Sequence, residues 1–343
     1  MTELPGDLRT VDYHTGGEPF RIVLEGTPEI PGDSVRERRE HARSSADVDE
    51  VRRLLCHEPR GHADMYGCFL VPPDDAGADL GVLFWHKDGY STACGHGTIA
   101  LGVWAVQSGR VDAAADGDTD VVIDVPSGRV TARVRCRSGV VDSVAFRNIA
   151  SYVIGRDVEV DLPGSEPGRV TVDLSYGGAI YASVPASAFG LEVTPDCYPD
   201  LILAGRAVKW ALEGTPWAQH PSDPRLSGIY GTILFDDLGE CTDGPHQRNV
   251  TVFADGEVDR SPCGSGTSAR VALLAADGRL GPGRILTHDS IVGTRFTASV
   301  VEEAVAEGRS AVVPEVRGMA YRTGEHVFVR DPADPVGTGF VLR

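Results

Sequence analysis

The chain has 343 residues, which at roughly 150 residues per domain suggests two domains. Hydrophobic residues make up 41%, enough for packed cores, and 41 glycines with 22 prolines point to many short strands and turns rather than a helical bundle. The 32 basic residues stand against 50 acidic ones, a formal charge of −18, which leaves no basic face for nucleic acid and mainly favours solubility.

MTELPGDLRT has no basic region leading into an apolar run, so no secretory leader is expected. No run of 18 apolar residues predicts a transmembrane helix. Strand-like text opens the chain over residues 8–31 and is followed by a charged, periodic stretch at 33–57 that reads as one surface helix (Val48, Val51, Leu54 and Leu55 spaced along it). FLVPP at 69–73 and LGVLFWH at 80–86 read as strands. GYSTACGHG then leads into TIALGVWAV, an apolar run of helix length. Short β text follows at 120–125, 130–136 and 140–146. From about residue 150 the grammar repeats. Strands are expected at 169–176, 179–184 and 231–236, then RNVTVFADGEVDRSPCGSG leads into helix-like TSARVALLAADG, and β text resumes after residue 284. The last segment, from HVFV onwards, reads as a strand returning to the first half. These breaks predict a first α/β domain at 1–148 plus 320–343 and a second at 149–319.

The seven cysteines (Cys56, Cys68, Cys94, Cys136, Cys197, Cys241, Cys263) are odd in number, scattered, and form no C-x-x-C pair. A zinc site or disulfide framework is therefore a poor reading, no metal is expected, and a reduced cytoplasmic protein is the default. Cys56, Cys68, Cys136, Cys197 and Cys241 are expected to be small buried hydrophobes.

CGHGTIA at 94–100 and CGSGTSA at 263–269 are the same phrase, about half the chain apart, each after strand-like and before helix-like text. A duplicated domain explains this. A cysteine at a helix start meets unsatisfied N–H groups and the positive end of the helix dipole, which favours the thiolate. The following glycines let backbone amides approach a small anion such as a carboxylate. Two such cysteines on one substrate can remove a proton from the carbon beside a carboxylate and return one to the opposite face, inverting that carbon without a cofactor.

TACGHGTIA and DRSPCGSGTSAR resemble the two catalytic motifs of the proline racemase family, which includes proline racemase, hydroxyproline 2-epimerase and trans-3-hydroxy-L-proline dehydratase. Supporting phrases are VDYHTGGEPFRIV, EPRGHADMYG, SYGGAIYA, GTRF and YRTGEHVFV. The resemblance implies an α/β (α+β) fold like that of diaminopimelate epimerase, with two pseudo-symmetric domains, each a curved mixed sheet or barrel around a central helix. It implies that Cys94 and Cys263 are the acid/base pair and that Gly95, His96, Gly264 and Ser265 cradle the substrate carboxylate. His96 also matches a substrate-contacting position, and Asp259 matches the carboxylate that takes the ring nitrogen. It further implies a small imino acid substrate, no cofactor and a homodimer. Dehydratases of the family commonly carry threonine or serine in place of one cysteine. Two cysteines here favour racemase or epimerase, with dehydratase as the alternative.

Competing readings are weaker. The G-x-G runs extend to neither a dinucleotide fingerprint nor a P-loop, and no G-x-S-x-G marks a serine hydrolase. A pyridoxal-type Schiff base needs a lysine, and only Lys87 of the two lysines lies near a motif. A non-enzymatic imino-acid sensor would not need two thiols. His57 and His62 beside Cys56 match no zinc spacing. His14 and Glu18 are expected to be structural or to line a cleft, and His86, Asp88 and His246 to be ordinary polar residues.

Overall fold

The computed structural model describes residues 7–342. The chain divides into two compact units, one of Met1–Val144 with Met319–Arg343, the other of Ala145–Gly318. Both are sheet-dominated, with few helices. Among the described residues no helix is long and apolar enough to cross a membrane.

In chain order the first unit contains β1 (Leu8–Thr15), β2 (Glu18–Glu25), α1 (Val35–Ser44), α2 (Ala46–Cys56), β3 (Tyr66–Val71), β4 (Leu80–His86), β5 (Gly89–Tyr90), α3 (Gly95–Gln107), β6 (Gly117–Val125) and β7 (Gly128–Arg137). The strand β8 (Val140–Arg147) carries the chain onward. The second unit adds β9 (Ser151–Asp161), β10 (Arg169–Tyr176), β11 (Ile180–Pro185), α4 (Tyr198–Leu212), β12 (Ile229–Cys241), β13 (Gly244–Phe253), β14 (Glu257–Asp259), α5 (Gly264–Ala276), β15 (Leu286–Ser290), β16 (Arg295–Ala306) and β17 (Arg309–Gly318). The strand β18 (Ala320–Phe328) pairs antiparallel with β1 in the first unit.

The first unit's sheet runs β18, β1, β2, β3, β4, β6, β7, with parallel pairs at β2–β3 and β4–β6 and antiparallel pairs elsewhere. It curves around α3, which packs on β1, β2, β7 and β18. From Gly95 to Ala105 every residue of α3 is buried, and from Ile99 onward that stretch is apolar on all sides. On the outer face, Val35, Ala42, Val48, Val51, Leu54 and Leu55 of α1 and α2 pack on Val23, Phe69, Leu83 and Trp85. Covered on both faces, β4 is buried at every position and reads LGVLFWH without polar alternation.

The second unit closes. Its strands pair in the circle β9, β10, β11, β12, β13, β15, β16, β17 and back to β9, with parallel pairs at β11–β12 and β13–β15. Closure leaves none of these eight strands as a free edge. Buried from Gly264 to Leu274, α5 fills the barrel. Outside, Leu201, Val208 and Leu212 of α4 pack on Val250 and Val252.

One sequence expectation needs correction. The stretch at 33–57 is two helices, because the Ser45 hydroxyl accepts the Val48 amide and starts a new helix where α1 ends. The helix α4 carries little sequence signal: Gly205 interrupts its apolar pattern, and tertiary packing declares it. The segment from HVFV returns to the first unit as expected, as the end of β18 against β1, and beyond Phe328 the described chain keeps an isolated bridge, Glu58 to Phe340.

Candidate active site

Each unit buries one helix that starts immediately after a cysteine, and in each the sulfur caps the helix. In the first unit Cys94 has extended backbone, φ −156°, and its Sγ accepts the Gly97 amide at 3.2 Å. Its carbonyl accepts both the amide and the hydroxyl of Thr98, at 3.1 and 2.7 Å. Both ring nitrogens of His96 lie 3.5 Å from the sulfur. The His96 carbonyl accepts the Thr15 hydroxyl at 2.9 Å, which ties the helix start to the end of β1. Tyr66 and Phe20 set their rings edge-on to the imidazole, at 4.9 and 5.8 Å. Gly97 admits no side chain, since a Cβ there would strike Phe20 and lie 2.8 Å from the sulfur. Cys94 and His96 are each 4% exposed.

In the second unit Gly266 donates its amide to the Sγ of Cys263 at 3.3 Å. Here the backbone differs: φ is +63°, a region that non-glycine residues seldom occupy and that costs on the order of 1–3 kcal/mol. Surrounding bonds impose it. The Cys263 amide donates to Ser261 Oγ at 3.0 Å, and that hydroxyl donates to Asp259 Oδ1 at 2.7 Å. The same carboxylate oxygen accepts the Ser261 amide at 2.8 Å. The Pro262 carbonyl is pinned by Asn249 Nδ2 and Thr267 Oγ1, at 2.9 and 3.0 Å. Gly177, in the β10–β11 turn, lies so close to α5 that a Cβ there would sit 2.5 Å from the Ser265 carbonyl. This gives SYGGAIYA a packing reason.

The expectation of a thiol made acidic by its helix start fails at Cys263. Burial pushes its pKa well above the ordinary value and the Asp259 carboxylate pushes it further, while the Gly266 amide and Thr251 hydroxyl pull the other way and lose. Cys263 is therefore a thiol, a proton donor, at neutral pH.

Beneath α5 lies a polar floor that sequence reasoning missed. Gln247, Asn249 and Thr251 alternate along β13 and are fully buried on its inner face. Gln247 Oε1 accepts from Arg270 at 3.2 and 3.1 Å, and the Arg270 guanidinium stacks 3.9 Å over Phe235. His288 meets Thr267 at 2.8 Å, and burial followed by repulsion from Arg270 pushes its pKa down to about 3. The period-2 run QRNVTV was the available signal.

Thus Cys94, Gly95 and His96 meet at the start of α3, and Asp259, Cys263, Gly264 and Ser265 at the start of α5. The first-turn amides of both helices have no carbonyl of their own helix to bind, which suits an anion. Elsewhere, Cys56, Cys68 and Cys136 are buried as expected, Cys197 is half-buried, and Cys241 departs from expectation by being exposed. His14 Nδ1 accepts the Gly17 amide, His62 Nδ1 the Asp64 amide and His86 Nδ1 the Asp88 amide, all turn-stabilising roles, while His246 pairs with Asp289. Glu18 is fully buried.

Residues 10–341 match the family described as proline racemase. A trans-3-hydroxy-L-proline dehydratase of Burkholderia cenocepacia is 45% identical over 98% of this chain and 98% of that protein. A 3-hydroxyproline 2-epimerase of Burkholderia multivorans is 44% identical, with the same coverage of both chains. The crystal structure of a hydroxyproline epimerase from Agrobacterium vitis, with bound trans-4-hydroxy-L-proline, superposes with a TM-score of 0.90 at 32% identity, covering 98% of this chain and 96% of that one. The chain belongs to the proline racemase family.

Proposed function

We propose that the chain inverts the Cα of a proline-type imino acid without a cofactor, with 3-hydroxyproline the favoured substrate and Cys94 and Cys263 the two acid/base groups. The observation that carries this reading is the presence of a helix-capping cysteine at both helix starts, each sulfur within 3.3 Å of the amide three residues on. One thiolate takes the Cα proton. The electron pair left behind spreads into the carboxylate, held by the first-turn amides of Gly95, His96, Gly264 and Ser265. The other cysteine gives its proton to the opposite face and becomes the thiolate, so protons balance and the roles reverse for the return reaction. Asp259 holds the positively charged ring nitrogen. That pairing also relieves the carboxylate's push on the Cys263 thiol, so substrate binding readies this sulfur for exchange.

Hydroxylation at C3 is favoured because the two Burkholderia relatives, at 44% and 45% identity, are named for 3-hydroxyproline, whereas the 4-hydroxyproline complex is at 32%. A second reading, dehydration, is favoured by the dehydratase names among those relatives. There the Cα proton leaves to one thiolate, the 3-hydroxyl departs with a proton as water, and the resulting enamine tautomerises to a cyclic imine. A cytoplasmic location suits thiols that must stay reduced, and a homodimer follows the family resemblance.

Incubation of proline and the 3- and 4-hydroxyproline isomers in deuterium oxide, followed by NMR, separates these outcomes. Epimer formation with deuterium at Cα supports inversion, cyclic imine supports dehydration, and neither from any isomer overturns the assignment.

A further inference from the structure

The two cysteines have different company. Beside Cys94 stands an imidazole. Beside Cys263 stands a phenol, Tyr181 of β11, which lies in the phrase SYGGAIYA and to which the sequence assigned no role. Tyr181 is fully buried in an apolar cluster with Ala179, Ile233, Cys263 and Ala269. Its ring is braced edge-on by Tyr230 at 5.5 Å, and Tyr230 stacks on Phe253 at 5.5 Å. The hydroxyl meets two polar side chains: Ser265 Oγ at 2.7 Å and Cys263 Sγ at 3.9 Å. A phenol in such surroundings keeps its proton, because burial penalises the phenolate and the neighbouring sulfur adds to that penalty. Tyr181 is thus a permanent donor with a choice of two acceptors, one close and one long.

We infer that Tyr181 is a positioning residue for Cys263, its hydroxyl donating to Ser265 while the sulfur carries a proton and to the sulfur once that proton has left. A neutral thiol is a weak acceptor, so the long contact to sulfur is the weaker of the two while Cys263 is protonated. A thiolate is a charged acceptor, and hydrogen bonds to charged groups are roughly twice as strong as neutral ones. Charge on sulfur therefore draws the phenol away from Ser265, with no bond made or broken at the phenol itself. This inference rests on the proposed acid/base role of Cys263.

The test compares the native protein, Tyr181→Phe, and a form carrying 3-fluorotyrosine at position 181, whose more acidic hydroxyl is a better donor of the same shape. The readout is the rate of Cys263 alkylation by iodoacetamide at fixed alkaline pH, followed on the Cys263 peptide by mass spectrometry with Cys94 as internal reference. Thiolate fraction sets that rate. The expected result is about tenfold slower alkylation of Cys263 in Tyr181→Phe, faster alkylation in the fluorotyrosine form, and an unchanged Cys94 rate. In turnover, kcat should fall in Tyr181→Phe with KM nearly constant. Cys263 rates that do not move in opposite directions in the two forms would overturn the inference. The fluorotyrosine arm retains the ring and hydroxyl, so it reports even if Tyr181→Phe fails to fold. Alkylation needs no substrate, so a protein inert towards every imino acid would sink the proposed function and leave this result to stand by itself.

Discussion

At the start of α3 and at the start of α5 a cysteine caps its own helix, yet the two are built on different ground. Cys94 sits in relaxed extended backbone above an apolar helix whose Ile99, Leu101 and Val103 are fully buried. Its polar companion, His96, lies on the same helix. Cys263 sits at φ +63° above a helix whose inward residues include Thr267, Ser268 and Arg270. Its companions come from several elements: Asp259 at the end of β14, Thr251 opposite it on β13, and Tyr181 from β11. A repeated sequence phrase has kept the cap and diverged in what supports it. The difference teaches that the cap specifies where a sulfur is placed, while burial and a neighbouring carboxylate specify how the Cys263 sulfur holds its proton.

The largest effect expected from breaking this arrangement is on turnover. Cys94→Ala and Cys263→Ala should each lose inversion by about 10³-fold or more, within the range of a lost acid/base group, while circular dichroism stays native. Residual inversion within tenfold of native in either variant would remove that cysteine from the account.

Asp259→Asn sharpens the comparison, because this carboxylate stands beside the α5 sulfur. The loss of a charged partner for the ring nitrogen should cost kcat/KM about 10- to 100-fold. The same substitution should speed alkylation of Cys263 and leave Cys94 unchanged, since Asp259 raises the Cys263 thiol. Ser261 can still donate to the amide oxygen, so the loop should hold. Slower alkylation of Cys263 would contradict the electrostatic role.

The polar floor beneath α5 has a pH signature. His288 takes up a proton only near pH 3 when folded but near its ordinary 6.5 when unfolded. Below about pH 6.5 the unfolded chain therefore binds a proton that the native state refuses, and stability falls as pH drops towards 3. His288→Gln, which preserves a polar partner for Thr267, should flatten the decline in melting temperature between pH 7 and 4.5. Parallel declines in the two proteins would show that His288 is not the cause.

The smallest effect concerns backbone strain. Glycine relieves a positive φ and alanine does not, so the stability advantage of Cys263→Gly over Cys263→Ala should exceed that of Cys94→Gly over Cys94→Ala by about 1 kcal/mol in urea unfolding. Equal advantages at the two positions would mean that the α5 start is not strained.

Much of this was legible in the residues. CGHGTIA and CGSGTSA announced two buried helix starts because glycine, cysteine and small residues in that order have few other uses. LGVLFWH announced a strand, while its burial on both faces is a finding of the structure. The barrel's closure was hidden, since β9 pairs with β17 across more than 150 residues and only a short stretch, Tyr152 to Ala311 and Ser151 to Val312, makes the join. The Cys263 backbone was hidden as well, because a positive φ at a non-glycine residue is imposed by Ser261 and Asn249 from outside the phrase, together with Thr267 within it. The direction of its acidity was misread for the same reason: burial is a tertiary property, and at this sulfur it outweighs the local helix start.

The central claim is that the two sulfurs serve opposite faces of one carbon, and isotope exchange in the two alanine variants tests it most directly. Each variant retains one thiol, which can remove and return a proton on its own face only. With each epimer of 3-hydroxyproline supplied separately in deuterium oxide, Cys94→Ala should wash deuterium into Cα of one epimer and Cys263→Ala into the other, with no inversion in either. Exchange of the same epimer in both variants, or inversion surviving in one of them, would contradict the account.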